Sequence, residues 1–257
     1  MTVNDSSLDG QVVLITGAGR GIAKVLAAKM AGGGAKIGAF DLSADSVEAT
    51  AQLLREQGGE VAAFAVDVGD EAQVSAAVDD IIARWGRIDV LVNAAGSYGA
   101  AFRATHETPV EEWDQVFASN VRGTFLCAKA VLPYMMQQGR GRIINFASNA
   151  GRSVSPLLGC SYTAAKTAVI GITRHLSREY ARYGILVNTI APGPVEGERL
   201  RDLLEREDAP KELLRQIPLG RLAAPEEIAD VVVFLASHGS RFMTGAIVDV
   251  SGGLILA

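Results

Sequence analysis

A tyrosine and a lysine, Tyr162 and Lys166, lie four positions apart in the amphipathic stretch Ser161–Tyr183, which predicts a helix. Residues at this spacing project from one helix face, so the two side chains should be neighbours. A free tyrosine has a pKa of about 10, too high for proton transfer at neutral pH. A nearby ammonium favours the phenolate and lowers that pKa, so Tyr162 could exchange a proton with an alcohol. Surface pairs of this kind are common, and the pair alone favours that simpler interpretation.

The elements that must position this pair alternate between short apolar runs and longer amphipathic stretches. Most of the apolar runs are continuous, as strands covered on both faces should be, so the alternation predicts a doubly wound α/β fold with a mostly parallel sheet. The length of 257 residues fits one large domain better than two small ones. The predicted strands are Val12–Thr16, Lys36–Asp41, Val61–Asp67, Ile88–Asn93, Arg142–Ala147, Ile185–Ile190 and Ala246–Val250, and the predicted helices are Gly21–Ala31, Ala44–Gln57, Glu71–Trp85, Glu111–Gln137, Ser161–Tyr183 and Pro225–Ser237.

One stretch, at about 192–219, interrupts this alternation with four prolines and a charged amphipathic core, Glu198–Asp208. Its late insertion between two strands predicts a lid over a substrate. An ordinary pair of connecting helices would have the same composition and is an equal alternative.

A glycine-rich loop, Thr16–Ala23, follows the first predicted strand and opens the first helix. Glycines let a diphosphate approach the backbone N–H groups, and the helix N-terminus supplies donors and a favourable dipole. The glycines follow a G-x-x-x-G-x-A pattern from Gly17 through Gly21. The usual G-x-G-x-x-G/A spacing is not met, because Ile22 occupies its last position. The loop therefore predicts a dinucleotide site.

The type of dinucleotide is indicated by Asp41, which ends the second predicted strand about 20 residues beyond the loop. A carboxylate there can bind the ribose hydroxyls and would repel a 2′-phosphate, so Asp41 favours NAD over NADP. Arg20 is a competing signal, since a guanidinium beside the loop could contact a phosphate.

Further polar and small residues end the third and fourth predicted strands, at Asp67 and at Asn93–Gly96. Ligands of such sheets bind beyond the carboxyl ends of the strands, so these positions should converge on one crevice. Asp67 could bind an adenine amino group, and the small residues at 94–96 would let a flat ring pass close to the backbone. Taken singly, each could be a turn residue.

Composition excludes several other classes of protein. A net charge of −5 and 21% charged residues give no nucleic-acid footprint, and no apolar run approaches the length of a membrane span. The N-terminus does not resemble a signal peptide, which makes the cytoplasm the default location. Cys127 and Cys160 are widely separated and favour two reduced, buried thiols. No metal site is predicted, because His106, His175 and His238 lack metal-ligand spacing.

Taken together, these motifs resemble the classical short-chain dehydrogenases/reductases. The resemblance runs from about Leu8 to Gly253 and rests on Gly17-x-x-x-Gly21, Asn93-Ala-Ala-Gly96, Asn120, Ser148, Tyr162-x-x-x-Lys166 and Pro192–Gly193 in that order. It implies a seven-stranded parallel Rossmann fold and, commonly, a homotetramer. Three positions depart from the usual pattern: Ala23 and Ala94 replace a glycine and an asparagine, and Gly197 replaces a threonine expected to contact the cofactor.

The resemblance also implies a role for each motif residue. Ser148 would orient the substrate, Tyr162 would be the acid–base, and Lys166 would bind the nicotinamide ribose and lower the Tyr162 pKa. Asn120, on the predicted helix Glu111–Gln137, would hold a water in the proton relay to Lys166. Residues expected to bind the cofactor are Gly17, Arg20, Gly21, Ile22, Asp41, Asp67, Val68, Asn93, Ala94, Gly96, Tyr162, Lys166, Pro192, Gly193 and Val195.

The predicted function is hydride transfer between NAD(H) and a secondary alcohol or its ketone. An NADP-dependent 3-oxoacyl-carrier-protein reductase is the alternative, resembled in Gly220–Ala229, although Asp41 and the acidic chain count against it. A non-catalytic dinucleotide-binding protein is a second alternative. The substrate is a small molecule that the sequence does not identify. Arg152, in a loop that follows a strand, could meet an anionic substrate group, but a solvated loop cation is the favoured interpretation.

Overall fold

In the computed structural model, which describes residues 8–155, 157–197, 200–201 and 214–255, seven strands form one sheet in the order β3-β2-β1-β4-β5-β6-β7. Every neighbouring pair is parallel, so the predicted sheet is confirmed. The strand order reverses between β1 and β4, and ligands of such sheets bind outside the carboxyl ends of the strands at this point. The strands are β1 (Val12–Thr16), β2 (Lys36–Asp41), β3 (Val61–Ala65), β4 (Val90–Asn93), β5 (Gly141–Phe146), β6 (Ile185–Pro192) and β7 (Ile247–Val250).

Helices cover both faces of the sheet, which explains why the strands are apolar along their whole length. Alternate residues of β1 join different clusters: Val13 and Ile15 pack on the side of α1, α2 and α7, and Val12 and Leu14 on the side of α3 and α5. All four are buried. The helices are α1 (Gly21–Gly32), α2 (Ala44–Glu56), α3 (Glu71–Trp85), α4 (Val110–Phe117), α5 (Gly123–Gln138), α6 (Cys160–Tyr180) and α7 (Pro225–Ala236).

The predicted helix Glu111–Gln137 is wrong in one respect: a π-helical turn, Ala118–Arg122, separates α4 from α5. Polar side chains on this turn and at the start of α5 donate to carbonyls four residues earlier in the chain. The Ser119 hydroxyl donates to Gln115 O (3.0 Å), the Asn120 amide to Val116 O (2.9 Å) and the Thr124 hydroxyl to Asn120 O (2.7 Å). Such bonds compete with the helical ladder, and π turns are frequent at functional sites.

Several other element boundaries shift by one or two residues, such as the start of β4 from Ile88 to Val90 and the end of β6 from Ile190 to Pro192. β3 ends at Ala65, so Asp67 lies in the turn to α3, where its carboxylate accepts the Gly69 N–H at 2.8 Å. The predicted helix Ser161–Tyr183 is α-helical only as far as Tyr180, and a 3₁₀ turn, Ala181–Tyr183, follows it. The charged core predicted at Glu198–Asp208 falls almost entirely outside the described residues. Within the described residues, none of the helices is both long and apolar enough to cross a membrane.

Candidate active site

The glycine-rich loop and the end of β4 are tied together by the hydroxyl of Thr16. This oxygen accepts hydrogen bonds from the backbone N–H groups of Ala94 and Ala95, both at 3.0 Å. Gly17 adopts a positive φ of 73°, and a Cβ there would lie 3.0 Å from Ala95 Cα. Only glycine permits both the conformation and the close approach. The structure therefore places Gly17 and Ala94 at one crevice at the carboxyl ends of β1 and β4.

The start of α1 fits the diphosphate of a dinucleotide. Its N-cap residue, Arg20, is extended and makes no side-chain bond to the helix backbone, and its first turn holds no acidic residue. A Cβ on Gly21, where φ is 58°, would meet no atom within 4 Å. Uncapped N–H groups, the positive end of the helix dipole and open space suit a bound anion. Ile22, the next helical residue, is half-buried against the core.

The Asp41 carboxylate, at the end of β2, lies against the glycine-rich loop. Its Oδ2 accepts the Gly19 N–H at 2.9 Å, and its Oδ1 accepts the Ser43 N–H at 3.0 Å. These two backbone donors could not be predicted from the sequence. An ionised carboxylate has about four acceptor sites, so two backbone donors leave room for ribose hydroxyls. No positive side chain neutralises it in these bonds.

Asn93, at the end of β4, belongs to a buried polar network that the sequence did not reveal. Its amide donates to Asn145 Oδ1 at 2.9 Å, and the Asn145 amide donates to the Thr173 hydroxyl at 2.9 Å. The network links β4 and β5 to α6, the helix that carries Tyr162 and Lys166. Buried polar groups of this kind fix the relative positions of the elements they join. Val68, in the turn after β3, is buried and packs against Gly123.

Lys166 is buried, and its ammonium lies close to Tyr162. Its Nζ donates to Phe146 O at 2.8 Å and lies 5.6 Å from the centroid of the Tyr162 ring. The turn that follows Ser148 packs on the same helix: a Cβ on Gly151 would lie 2.7 Å from Lys166 O. The structure thus brings the Ser148 turn, Lys166 and Tyr162 into one region at the carboxyl end of β5.

Ser148 is buried, and its hydroxyl has two local partners. It accepts the Ala150 N–H at 3.2 Å and donates to Asn149 Oδ1 at 3.1 Å. Asn149 was missed by the sequence interpretation, and no spacing rule would have indicated it.

The N–H groups of the Asn120 side-chain amide have hydrogen-bond partners, whereas its oxygen has none within the described residues. Its amide donates to Ser97 O at 2.8 Å and to Val116 O at 2.9 Å, which fixes the rotamer. Its Oδ1 is buried and has no hydrogen-bond partner within the described residues. A buried acceptor normally requires a donor, and an ordered water is the usual one. A hydroxyl pair beside it, Ser97 with Ser119 at 2.8 Å, was not predicted.

The residues expected around the nicotinamide lie at the end of β6. Pro192 pairs with Val250 of β7, and Gly193 donates to Val250 O at 3.0 Å. A Cβ on Gly193 would lie 2.9 Å from Ser251 Cα, so a larger residue would not fit without a shift. Val195 forms an isolated bridge with Ala223. These residues therefore share the edge of the sheet that holds the glycine-rich loop.

Comparisons with known proteins agree with this architecture. A protein-family model described as enoyl-(acyl carrier protein) reductase matches residues 17–255. D-threitol dehydrogenase of Mycolicibacterium smegmatis is 41% identical over 251 residues, which cover 97% of this chain and 94% of that one. The chain belongs to the classical short-chain dehydrogenase/reductase family. It is an oxidoreductase of the type that acts on alcohol and ketone groups.

Solved structures of family members carry either dinucleotide. A 3-oxoacyl-[acyl-carrier protein] reductase from Brucella melitensis with bound NAD superposes with a TM-score of 0.89 at 37% identity, covering 98% of this chain and 94% of that one. A gluconate 5-dehydrogenase from Burkholderia cenocepacia, in complex with NADP and tartrate, superposes with a TM-score of 0.90 at 36% identity, covering 98% and 97%. Dinucleotide binding is therefore supported by the family, and the choice between NAD and NADP is not settled by it.

Arg152 is not the solvated loop cation that the sequence favoured. Its Nη1 lies 2.5 Å from Asp249 Oδ2, and the two side chains are only 21% and 20% exposed. The ion pair connects the loop after β5 with β7, across β6. Because the two residues are 97 positions apart, no local sequence pattern indicates this pair.

The remaining titratable candidates lie away from the reacting region or are inert. His175 pairs with Glu179 at 3.2 Å on an exposed face of α6. Cys127 is buried, and burial raises the pKa of its thiol to about 12, which makes it a poor nucleophile. Cys160 is half-buried, so the expectation of two buried thiols was right for Cys127 only.

Proposed function

We propose that this family member transfers a hydride between NAD(H) and a secondary alcohol or its ketone, with Tyr162 as the acid–base. The observation that carries the proposal is the buried Lys166 ammonium 5.6 Å from the Tyr162 ring centroid. A positive charge this close to a phenol favours the phenolate. A surface pair would have a solvated ammonium, whereas only 5% of Lys166 is exposed.

In the proposed reaction the cofactor would exchange the hydride, and the protein exchanges the proton. A bound nicotinamide would supply the hydride acceptor for the carbinol carbon. Tyr162 takes the hydroxyl proton as the hydride leaves, and returns it in the reverse direction. Lys166 is held by Phe146 O, so its charge stays next to the phenol throughout the cycle.

Ser148 and Asn120 support this proton transfer. The Ser148 hydroxyl, which donates to Asn149 Oδ1, rotates to donate to the substrate oxygen and so orients it. The partnerless Asn120 Oδ1 holds a water whose proton chain leads to Lys166. Both roles follow the family pattern, and the buried orphan oxygen is the structural support for the second.

The proposed cofactor is NAD. Asp41 presents a carboxylate beside Gly19 at the end of β2, where ribose hydroxyls can bind it and a 2′-phosphate would be repelled. Arg20 is exposed and supplies the one opposing charge in this loop. A comparison of kcat/KM with NAD and with NADP tests the proposal, and a marked preference for NADP would reject it.

The 3-oxoacyl-carrier-protein reductase alternative gains nothing from the Gly220–Ala229 segment. Arg221 forms two bonds with the Glu227 carboxylate, at 2.6 and 2.7 Å, and Glu227 also accepts the Ala224 N–H at 2.8 Å. These contacts fix the start of α7, which accounts for the motif without a carrier protein. The non-catalytic alternative is opposed by the presence of both Tyr162 and Lys166.

We also propose that the protein assembles as a homotetramer. An apolar groove of about 670 Å³ runs between α5 and α6, with Phe125 half exposed at its wall. A second copy of the chain would cover this face. Light scattering after size exclusion should give four times the chain mass, and Phe125→Glu should lower it. A wild-type monomer would reject this assembly.

The test of the whole proposal is turnover. Purified protein is assayed with NAD and with NADP against secondary alcohols, sugars, steroids and hydroxyacyl thioesters. Reduction of NAD with at least one secondary alcohol supports the proposal. Tight NAD binding with no turnover of any substrate would favour the non-catalytic alternative.

A further inference from the structure

Phe102, in the loop after β4, is held in an unusual conformation. Its φ is 56°, the one positive value among non-glycine residues in the described part of the chain. Its side chain is also 46% exposed, which is unusual for phenylalanine. A bulky residue in the left-handed region is strained and persists only where its surroundings impose it.

Contacts on both sides of Phe102 impose this conformation. Its own N–H donates to Leu157 O at 2.9 Å, and Ala101 forms a β-bridge with Leu158. On the other side, Glu112 Oε2 accepts the Ala100 N–H at 3.0 Å and the Arg103 guanidinium at 2.6 Å. One carboxylate thus holds the residues before and after Phe102.

These contacts join the loops that follow β4 and β5. Residues 157–158 lead directly into α6, the helix with Tyr162. Loops at the carboxyl ends of parallel strands form the substrate side of such folds. The backbone of Phe102 is therefore held at the carboxyl ends of the strands, near the start of α6, and its ring is exposed there.

The arginines of these two loops are each paired with a carboxylate. Within loop 97–109 and the described residues of loop 149–159, Arg103 and Arg152 are the only arginines or lysines. Arg103 pairs with Glu112, and Arg152 pairs with Asp249. Both pairs are partly buried, so taking either arginine for a substrate anion would leave a carboxylate without its partner. Val154, by contrast, presents an apolar side chain that is 68% exposed.

We propose that the substrate is an uncharged secondary alcohol, or its ketone, whose carbon skeleton has an apolar face that lies against Phe102. The proposal rests on the proposed function and specifies its substrate class. Alcohols with an anionic group near the carbinol are disfavoured at this face, because Arg103 and Arg152, the arginines of loops 97–109 and 149–159, are each bound to a carboxylate.

A matched pair of probes tests the charge preference: 1-phenylethanol and its carboxylated analogue, 4-(1-hydroxyethyl)benzoate, with NAD. Wild type should have a kcat/KM at least about tenfold higher for the neutral probe, because an unpaired anion in the pocket is costly. Asp249→Asn leaves Arg152 without its carboxylate and should lower the ratio of kcat/KM for the neutral probe to kcat/KM for the carboxylated probe. A wild-type preference for the benzoate, or a ratio unchanged in Asp249→Asn, would overturn the argument from charge.

A second set of variants tests the ring contact. Phe102→Ala should lower kcat/KM for 1-phenylethanol about tenfold relative to 2-propanol, which is too small to reach the ring. Phe102→Gly should lower it similarly while raising the Tm, because glycine relieves the strained φ. The control is Phe242→Ala, since this fully exposed ring precedes the amino end of β7, away from the site. An unchanged 1-phenylethanol to 2-propanol ratio in Phe102→Ala would overturn the contact.

Binding separates failure of this proposal from failure of the proposed function. If no alcohol is turned over, the affinities of acetophenone and 4-acetylbenzoate for the enzyme with NADH are compared by NADH fluorescence. Tighter binding of acetophenone, weakened in Phe102→Ala, supports the substrate class even without turnover. Tighter binding of 4-acetylbenzoate, or no binding of either ketone, rejects it.

Discussion

Gly96→Ala should damage the site through Asn120. A Cβ at position 96 would lie 2.2 Å from Asn120 Oδ1 and 2.9 Å from its Cγ. Ordinary contacts between such atoms are about 3.5 Å, so the amide must move by about 1 Å. That shift breaks the bonds from Asn120 to Ser97 O and Val116 O. Because breaking the hydrogen bonds of a buried side chain costs about 1–3 kcal/mol each, the unfolding free energy should fall by roughly 3 kcal/mol.

Two assays measure this loss. Each kcal/mol corresponds to about 2–4 °C in a domain of this size, so the Tm should fall by roughly 6–12 °C. A displacement of about 1 Å in a group that holds the proton relay should lower kcat/KM about 100-fold. Thermal unfolding and steady-state kinetics on the same preparations give both numbers.

The matched control is Gly32→Ala, at the end of α1. A Cβ there would meet no atom within 4 Å, and its φ lies outside the positive range. Alanine should leave kcat/KM unchanged and the Tm equal or slightly higher. A Gly96→Ala variant with wild-type Tm and kcat/KM would refute the packing argument. A lowered Tm with wild-type kcat/KM would refute the role of Asn120 in the relay.

Two further predictions concern charges. Asp41→Ala should raise the ratio of kcat/KM with NADP to kcat/KM with NAD by at least about 100-fold, because charge-assisted bonds to the ribose are lost and the repulsion of the 2′-phosphate is removed. The control is Asp45→Ala, which changes an exposed carboxylate nearby. An unchanged ratio in Asp41→Ala would contradict the proposed role of Asp41. Arg221 holds the pKa of Glu227 at about 2, below its ordinary 4.5. The stabilisation is therefore present above pH 4.5 and lost as the pH falls towards 2, and Arg221→Ala should return the Glu227 titration, followed by NMR, towards 4.5. A titration near 2 in that variant would show that Arg221 is not the cause.

The sheet could be predicted because each strand is covered on both faces, which leaves a continuous apolar run in the sequence. Val12–Thr16 and Lys36–Asp41 were predicted with their exact bounds. The break at Ala118–Arg122 could not be predicted from apolar periodicity, because it arises where the Ser119, Asn120 and Thr124 side chains bond the backbone. Asp67 was placed on a strand because the apolar run continues beyond the last paired residue.

Within the site, local spacing predicted what local geometry determines. Tyr162 and Lys166 lie close together because they are one helical turn apart. The contacts made by long-range packing were missed: Lys166 with Phe146 O, and Arg152 with Asp249. The same contrast between local and long-range contacts holds for two glycines. The glycine at position 17 can be predicted from its loop, whereas the requirement for glycine at position 96 depends on where the Asn120 side chain lies.

The most direct test of the central claim is kcat for Tyr162→Phe, measured with NAD and the best alcohol of the substrate panel. This change removes only the phenol oxygen, so the Tm should stay near that of wild type. The account predicts a kcat lower by about 10²–10⁴-fold, the usual contribution of a positioned acid–base. Wild-type kcat in Tyr162→Phe would contradict it.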